Sequence, residues 1–339
     1  MDGSGPLSDI VVSSRIRLAR NVSGFVFSTQ ADDRQREQLL RYLHDQLMET
    51  ELKDDLWYLE MSRMTPLERS MLAERHLISG RLAEGTTGCG VALSHDESMA
   101  LMLNEEDHIR TQVLASGLQL EETYENINRI DELLEEKIEY TFSPQYGYLT
   151  ACPTNVGTGM RVSVMLHLPA LKMSGQIEKV FRAAREMRLA VRGLYGEGTE
   201  PVGDFYQLSN QTTLGKTEQQ IIEQLVSLAV EPIVEYERQA RNKLLKDRTA
   251  ALDDKIHRAV GTLTHARLIS SEETAYLLSL LRLGVQLDRI KDISLRTVNE
   301  LFLLTQPAHL QHHYKQTLDV GQRDELRARF IREHFRQIP

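Results

Sequence analysis

Cysteine is nearly absent: Cys89 and Cys152 are the only two in 339 residues. Two thiols are too few for a disulfide framework or a four-cysteine zinc site. Long apolar runs are missing as well. The longest stretches, such as Val162 to Leu168, fall far short of the roughly 20 residues that cross a bilayer. The opening Met1-Asp2-Gly3-Ser4-Gly5-Pro6 is polar and unlike a signal peptide. An excess of positive charge is also lacking, since 40 basic residues face 49 acidic ones for a net charge of −9. That balance argues against a general affinity for nucleic acid. The expectation is a soluble cytoplasmic protein with no membrane or direct nucleic-acid partner. At about 100–200 residues per domain, the length predicts two domains.

Familiar nucleotide and metal signatures are missing too. Leu214-Gly215-Lys216-Thr217 hints at a phosphate loop, but the position that needs the first glycine holds Asn210. Gly203-Asp204-Phe205 has the composition of a protein-kinase metal motif in the wrong order. His309, His312 and His313 share helical spacing without a carboxylate or cysteine nearby in sequence, and read as a solvated polar face. No metal site is expected on protein ligands.

What is present is arginine: 30 Arg against 10 Lys. Its planar fork grips phosphate in a bidentate way that lysine does not. Residues 1–215 mix strand and helix signals, whereas 216–339 read as almost wholly helical. Strands are expected over Asp9–Arg20, Cys89–Ser94, Ser98–Leu103, Tyr140–Phe142, Tyr148–Cys152, Arg161–Leu168, Leu189–Arg192 and Asp204–Leu208. Amphipathic helices are expected over Asp32–Lys53 and Glu121–Ile138, and Thr65-Pro66-Leu67-Glu68 has the form of a capped helix start. A long helix over Thr217–Lys246 is followed by shorter ones broken near Ser270, Gly284, Ser294, Pro307 and Gly321. Strand and helix do not alternate regularly. The pattern predicts an α+β fold: a mostly antiparallel sheet flanked by helices, followed by a helical C-terminal domain.

Four segments combine charge with a constrained backbone. Ser13-Ser14-Arg15-Ile16-Arg17 places two guanidinium groups on one side of a strand, where an anion between them would relieve their repulsion. Asn104-Glu105-Glu106-Asp107-His108-Ile109-Arg110 offers a candidate base and an anion ligand. Cys152-Pro153-Thr154-Asn155-Val156-Gly157-Thr158-Gly159-Met160-Arg161 couples a thiol and a glycine turn to an arginine. Arg192-Gly193-Leu194-Tyr195-Gly196-Glu197-Gly198-Thr199-Glu200 reads as a loop carrying carboxylates.

In this order the four segments resemble the phosphagen (guanidino) kinases over roughly residues 9–215. The resemblance implies a glutamine-synthetase-like catalytic domain that moves the γ-phosphoryl group of ATP to a guanidinium nitrogen. It implies that Ser13, Ser14, Arg15, Ile16, Arg17, Arg110, Arg161, Arg192, Gly193, Leu194, Tyr195 and Gly196 hold the nucleotide. His76 would stack on its base, and Val162, Ser163, Val164 and Met165 would line it. Mg2+ would be held through the phosphates, with no metal ligand from the protein. Glu106 matches the principal catalytic carboxylate and Glu197 its partner, with Glu200 in a rival register; Cys152 matches the thiol beside the guanidine.

In this sequence only twelve residues precede Ser13, where small-molecule guanidino kinases carry a helical domain that encloses the acceptor. The open site suits an arginine side chain on a polypeptide. Arg323-Asp324-Glu325-Leu326-Arg327-Ala328 resembles the Arg-Asp-x-x-Arg-Ala motif of bacterial protein-arginine kinases (the McsB type). It implies a phosphoarginine site at Arg323, Asp324, Arg327 and Ala328. The resemblance further implies marking of proteins for a Clp unfoldase-protease, inactivation of a heat-shock repressor, response to an activator protein, and a homodimer or higher oligomer. Phosphorylation of free arginine, or a catalytically dead phosphoarginine-binding adaptor, are the alternatives.

Overall fold

The computed structural model describes residues 3–85, 87–193 and 202–336. Strand β1 (Val11–Arg20) is followed by α1 (Asp33–Met48), β2 (Leu56–Glu60), α2 (Pro66–Glu74), α3 (Gly80–Glu84), β3 (Gly90–Ser94), β4 (Met99–Leu103) and β5 (Ile109–Ser116). Next come α4 (Leu120–Glu135), the short hairpin β6 (Phe142–Ser143) and β7 (Gly147–Tyr148), β8 (Met160–His167), α5 (Pro169–Met173), α6 (Ile177–Glu186), β9 (Leu189–Gly193) and β10 (Phe205–Asn210). The remainder is helical: α7 (Glu218–Leu225), α8 (Glu231–Asp247), α9 (Thr249–His265), α10 (Ser271–Gln286), α11 (Leu295–Leu304), α12 (Pro307–Tyr314) and α13 (Val320–Arg336).

Eight strands form one sheet in the order β2-β3-β4-β5-β1-β8-β10-β9. The pairings between its strands are all antiparallel. Alternation along β1 and β8 divides the two faces. Ile16, Leu18, Val162, Val164 and Leu166 point to one side, into a core shared with α1, α4 and α6. The other side is polar in the middle and carries a smaller apolar cluster at the β2–β4 end, under α2 and α3.

Two strands escape the periodicity reading. β2 is a half-buried edge without clean alternation, and β5 begins inside the charged segment that reads as a loop. The strand expected over Tyr148–Cys152 shrinks to Gly147–Tyr148, because Pro153 opens a helical turn at Pro153–Asn155. The helix expected to reach Lys53 stops at Met48, where Thr50 caps a separate short turn.

The long helix from Thr217 is present but loosened into a π turn at Val226–Val230, just before Pro232. Proline has no N–H for the regular ladder, which accounts for the wider turn there. Gly284 does not break α10. It lies within the helix, where a Cβ would come 2.6 Å from Ile256, so the glycine serves close helix approach.

The chain leaves the sheet after Asn210, but the principal core continues through α7 and α8. A second core gathers Leu263, Leu278, Leu281, Val298, Leu310 and Ile331 from α9 to α13. Among the described residues, no helix is long and apolar enough to cross a membrane.

Candidate active site

Antiparallel register brings separated arginines into one row. Arg17 of β1 faces Arg161 of β8 and Gln112 of β5, while Arg15 faces Ser163. Arg110 pairs with Ala19, and Gln207 of β10 lies between Met165 of β8 and Arg192 of β9. Strand period two therefore puts Arg15, Arg17, Arg110, Arg161 and Arg192 on the polar face.

Neutral side chains hold several of these cations apart. Arg15 donates to Gln207 Oε1 at 2.7 Å and to Ser163 Oγ at 3.4 Å. Arg161 donates to Ser209 Oγ at 3.4 Å. The Nε atoms of Arg17 and Arg161 are buried without an acceptor. Desolvation, then repulsion from Arg110, Arg161 and Arg192, pushes Arg15 down to about 10. Arg161 is likewise pushed down to about 10 by desolvation, Arg192 and Arg110. Desolvation and the neighbouring arginines drive Arg17 well below its ordinary value. At neutral pH Arg15 and Arg161 remain charged, and their shifts record burial first and repulsion from neighbouring arginines second. A polyphosphate would supply the missing acceptors and offset that charge.

A cavity of about 930 Å³ opens over the row. Ser13, Arg15, Arg17 and Arg110 line its floor, and His76 and Phe302 stand on its walls. His76 has φ +59°, and its carbonyl accepts from Gln112 Nε2 at 2.8 Å. Burial, reinforced by Arg15, pushes its imidazole down to about 4. The ring is neutral at pH 7 and can act as a flat stacking surface.

The charged segment after β4 divides into scaffold and site. Asn104, at φ +60°, donates to the carbonyls of Gly88 and Arg36. Asp107 accepts from Asn21 and from the Ala151 N–H, both at 2.7 Å. His108 Nδ1 accepts from the Val22 N–H at 2.9 Å. Glu105 is buried, bonded to Ser79 and paired with Arg110 at 2.8 Å. Burial raises its carboxyl, but Arg110 and the hydrogen bonds outweigh this and hold it below its usual range. Glu106 stays half-exposed, 3.8 Å from Arg110 and 4.0 Å from Arg81.

The Ala151–Asp107 bond ties the loop of Cys152 to the turn of Glu106. The Cys152 thiol is free and lies 3.0 Å from Thr154 Oγ1. Chain segments about 45 residues apart thus meet beside the arginine row.

Other expected residues fall elsewhere. Ser14 bonds the Gly117 carbonyl, and Ile16, Val162 and Val164 are fully buried on the core face. Period two explains this: alternate residues of the same motif must face away. Met165 joins Ser163 on the cavity side. Gly193 ends β9, whereas Leu194, Tyr195, Gly196, Glu197 and Glu200 lie outside the described residues.

On α13, Arg327 is 1% exposed and donates to the carbonyls of Thr305 and Ile269 at 2.9 Å and to Asp324 at 2.6 Å. Arg323 donates to the Leu318 carbonyl at 3.0 Å, and Ala328 is buried in the second core. Sequence reading misses Ser79, Glu105, Gln112 and Gln207. Gln112 had a signal, two positions after Arg110 on one strand; the others depend on tertiary placement.

Among the described residues, no group of three or more His, Cys, Asp or Glu is arranged to hold a metal ion. The arginine row, the His76 wall and the adjoining carboxylate–thiol corner together form one basic cavity suited to a polyphosphate.

Comparison with known proteins agrees. Residues 38–240 match the family described as "ATP:guanido phosphotransferase, C-terminal catalytic domain", and residues 249–339 match "Protein-arginine kinase McsB C-terminal domain". The chain is 46% identical over 346 aligned positions to the protein-arginine kinase of Brevibacillus brevis, covering 100% of this chain and 95% of that protein. It is 46% identical to the protein-arginine kinase of Bacillus subtilis, covering 99% and 92% respectively. The lombricine kinase crystal structure superposes with a TM-score of 0.61 at 25% identity, covering 70% of this chain and 68% of that one. A duplicated taurocyamine kinase from Schistosoma mansoni, with bound transition-state-analogue components, gives 0.57 at 27% identity, covering 68% of this chain and 32% of that one. The chain belongs to the ATP:guanido phosphotransferase family and, within it, to the protein-arginine kinases.

Proposed function

We propose that this enzyme transfers the γ-phosphoryl group of ATP to the guanidinium of arginine side chains in proteins. The observation that carries the reading is the in-register arginine row beside the turn of Glu106 and the loop of Cys152. Arg15, Arg17, Arg110, Arg161 and Arg192 hold the phosphates, and His76 stacks on the base. Positioning and charge stabilisation dominate phosphoryl transfer, so such a cradle needs no glycine-rich loop. Mg2+, held by the phosphate oxygens, supplies charge neutralisation.

The acceptor is the harder problem, because a guanidinium with a pKa of about 12.5–13.8 has no free lone pair. Glu106 binds the planar cation, aligns one nitrogen and takes its proton as the N–P bond forms. The P–O bond to the leaving ADP breaks in the same displacement. Glu197 grips a second edge of the guanidinium, and Cys152 helps to orient it.

The match of residues 249–339 to the protein-arginine kinase C-terminal domain favours a polypeptide acceptor over free arginine. Arg323, Asp324, Arg327 and Ala328 form a phosphoarginine site, in which Asp324 exchanges its bond to Arg327 for the incoming guanidinium. Residues 1–215 supply the catalytic sheet, α7 and α8 complete its core, and the helices from α9 onward build the C-terminal domain. The enzyme works in the cytoplasm as a homodimer or higher oligomer. Its partners are an activator protein, a heat-shock repressor and a Clp unfoldase-protease, as the family resemblance implies.

Incubation with ATP and a protein substrate, then mass spectrometry that preserves acid-labile phosphate, tests the reading. Phosphate on arginine is expected. Phosphate on serine overturns it, turnover of free arginine alone indicates a small-guanidine kinase, and binding without turnover indicates an adaptor.

A further inference from the structure

Helix α2 ends at Glu74, and Arg75 and His76 carry the chain from there onto the cavity wall. Glu74 does not face solvent alone. Its Oε1 accepts from the Ala308 N–H at 2.7 Å, and its Oε2 from the His309 N–H at 3.1 Å. Gln306, the N-cap residue of α12, makes no side-chain capping bond, so a carboxylate more than 230 residues away caps this helix. A negative charge there also meets the favourable end of the helix dipole.

His309 completes the clasp. Expected on a solvated face, it is instead 5% exposed, because α12 lies against α2. Its Nδ1–H donates to Glu74 Oε2 at 2.7 Å, and its Nε2 accepts from Arg75 Nε at 3.3 Å. Together these bonds select the neutral tautomer with its proton on Nδ1. Arg75 is further held by Glu97.

The clasp joins two chain segments that line the cavity. At one end it fixes the two residues before His76, whose left-handed backbone persists only where neighbours over-determine it. At the other it fixes the start of α12, directly after Phe302, Leu303 and Gln306, which line the same cavity.

We propose that Glu74 and His309 are positioning residues for nucleotide binding: by bridging α2 to α12 they set the distance between His76 and the α11 wall. This rests on the reading of the cavity as the ATP site. The residues act through His76 and do not touch the reacting atoms.

The experiment measures the Kd for ATP by equilibrium dialysis, and KM and kcat with a protein acceptor, in the full chain. Glu74→Ala and His309→Ala should each raise Kd and KM for ATP about tenfold, with kcat at saturating ATP within about twofold. His309→Asn, whose amide nitrogen takes the place of Nδ1, should recover most of the affinity. Leu278→Ala, a cavity in the second core that leaves the clasp residues in place, should lower Tm without changing Kd. Wild-type ATP affinity in the two alanine variants overturns the proposal. An equal loss in Leu278→Ala also overturns it, by tracing the effect to general loosening. Should Glu74→Ala not fold, the His309 pair decides alone. ATP binding without arginine phosphorylation defeats the functional reading while leaving the clasp intact; no ATP binding in the wild type defeats both.

Discussion

Arg17 and Arg161 face each other across neighbouring antiparallel strands, and each leaves a buried Nε with no acceptor. Two cations in that relationship repel, and on the proposed function the phosphates of ATP would relieve the repulsion. Arg17→Met keeps the length of the chain and deletes one charge. It should stabilise the unliganded protein by about 1–2 kcal/mol in urea unfolding while weakening ATP binding at least about tenfold. A variant that is both less stable and equally tight for ATP would refute the arginine-row argument.

Glu105 and Glu106 are neighbours in sequence with opposite surroundings. Glu106→Gln should lower kcat by about 10²–10⁴ with little change in ATP affinity, since only the proton acceptor is lost. Wild-type turnover would remove Glu106 from the reaction.

Glu105 governs an acid limb. Its folded pKa lies below its usual 4.5, so the stability it contributes is present above 4.5 and is lost as pH falls through the folded value. Glu105→Gln should therefore lower the urea midpoint at pH 7 and flatten its decline on acidification. An unaltered pH profile would contradict this.

His76 titrates with the opposite charge and the same direction. Its folded pKa is about 4 against an ordinary 6.5, so the unfolded chain takes up its proton first and stability falls as pH drops from 6.5 to 4. His76→Phe should flatten that window and preserve stacking. His76→Ala should lose about 1–3 kcal/mol of nucleotide affinity, measured as Kd for ATP. Equal Kd values for the Ala and Phe variants would argue against stacking.

Arg20, the third arginine of β1, has a different fate. Its Nε and NH2 both reach Asp131 Oδ2, at 3.0 and 2.7 Å, and its Cζ lies 3.6 Å from the Tyr148 ring centroid. Asp131→Ala leaves that buried cation unpaired and should cost about 3–5 kcal/mol in denaturant unfolding. A loss below 1 kcal/mol would show that the pair is solvated.

Much of the sheet was legible from alternation, as in Arg161–Leu168, and α2 from its Thr65-Pro66 start. β5 was not, because Ile109-Arg110 closes the charged segment Asn104–Arg110; only pairing with β1 and β4 makes the stretch a strand. The same limit applied to the site. The motifs set Ser14, Ile16, Val162 and Val164 beside the arginines in sequence, yet the pleat turns these four away. Gln207 carried no motif and became a partner of Arg15 through the β8–β10 register.

By itself the sequence determined the chemistry available: a surplus of guanidinium groups at alternate strand positions, carboxylates and a thiol in turns, and a helical second half. Strand period and side-chain charge are local properties, readable one segment at a time. Only the tertiary structure decided which groups meet. Register set Arg17 against Arg161, one aspartate tied the Glu106 turn to the Cys152 loop, and Glu74 found its partner on α12. Those are pairings between distant segments, and their energies depend on burial and packing that no single segment contains.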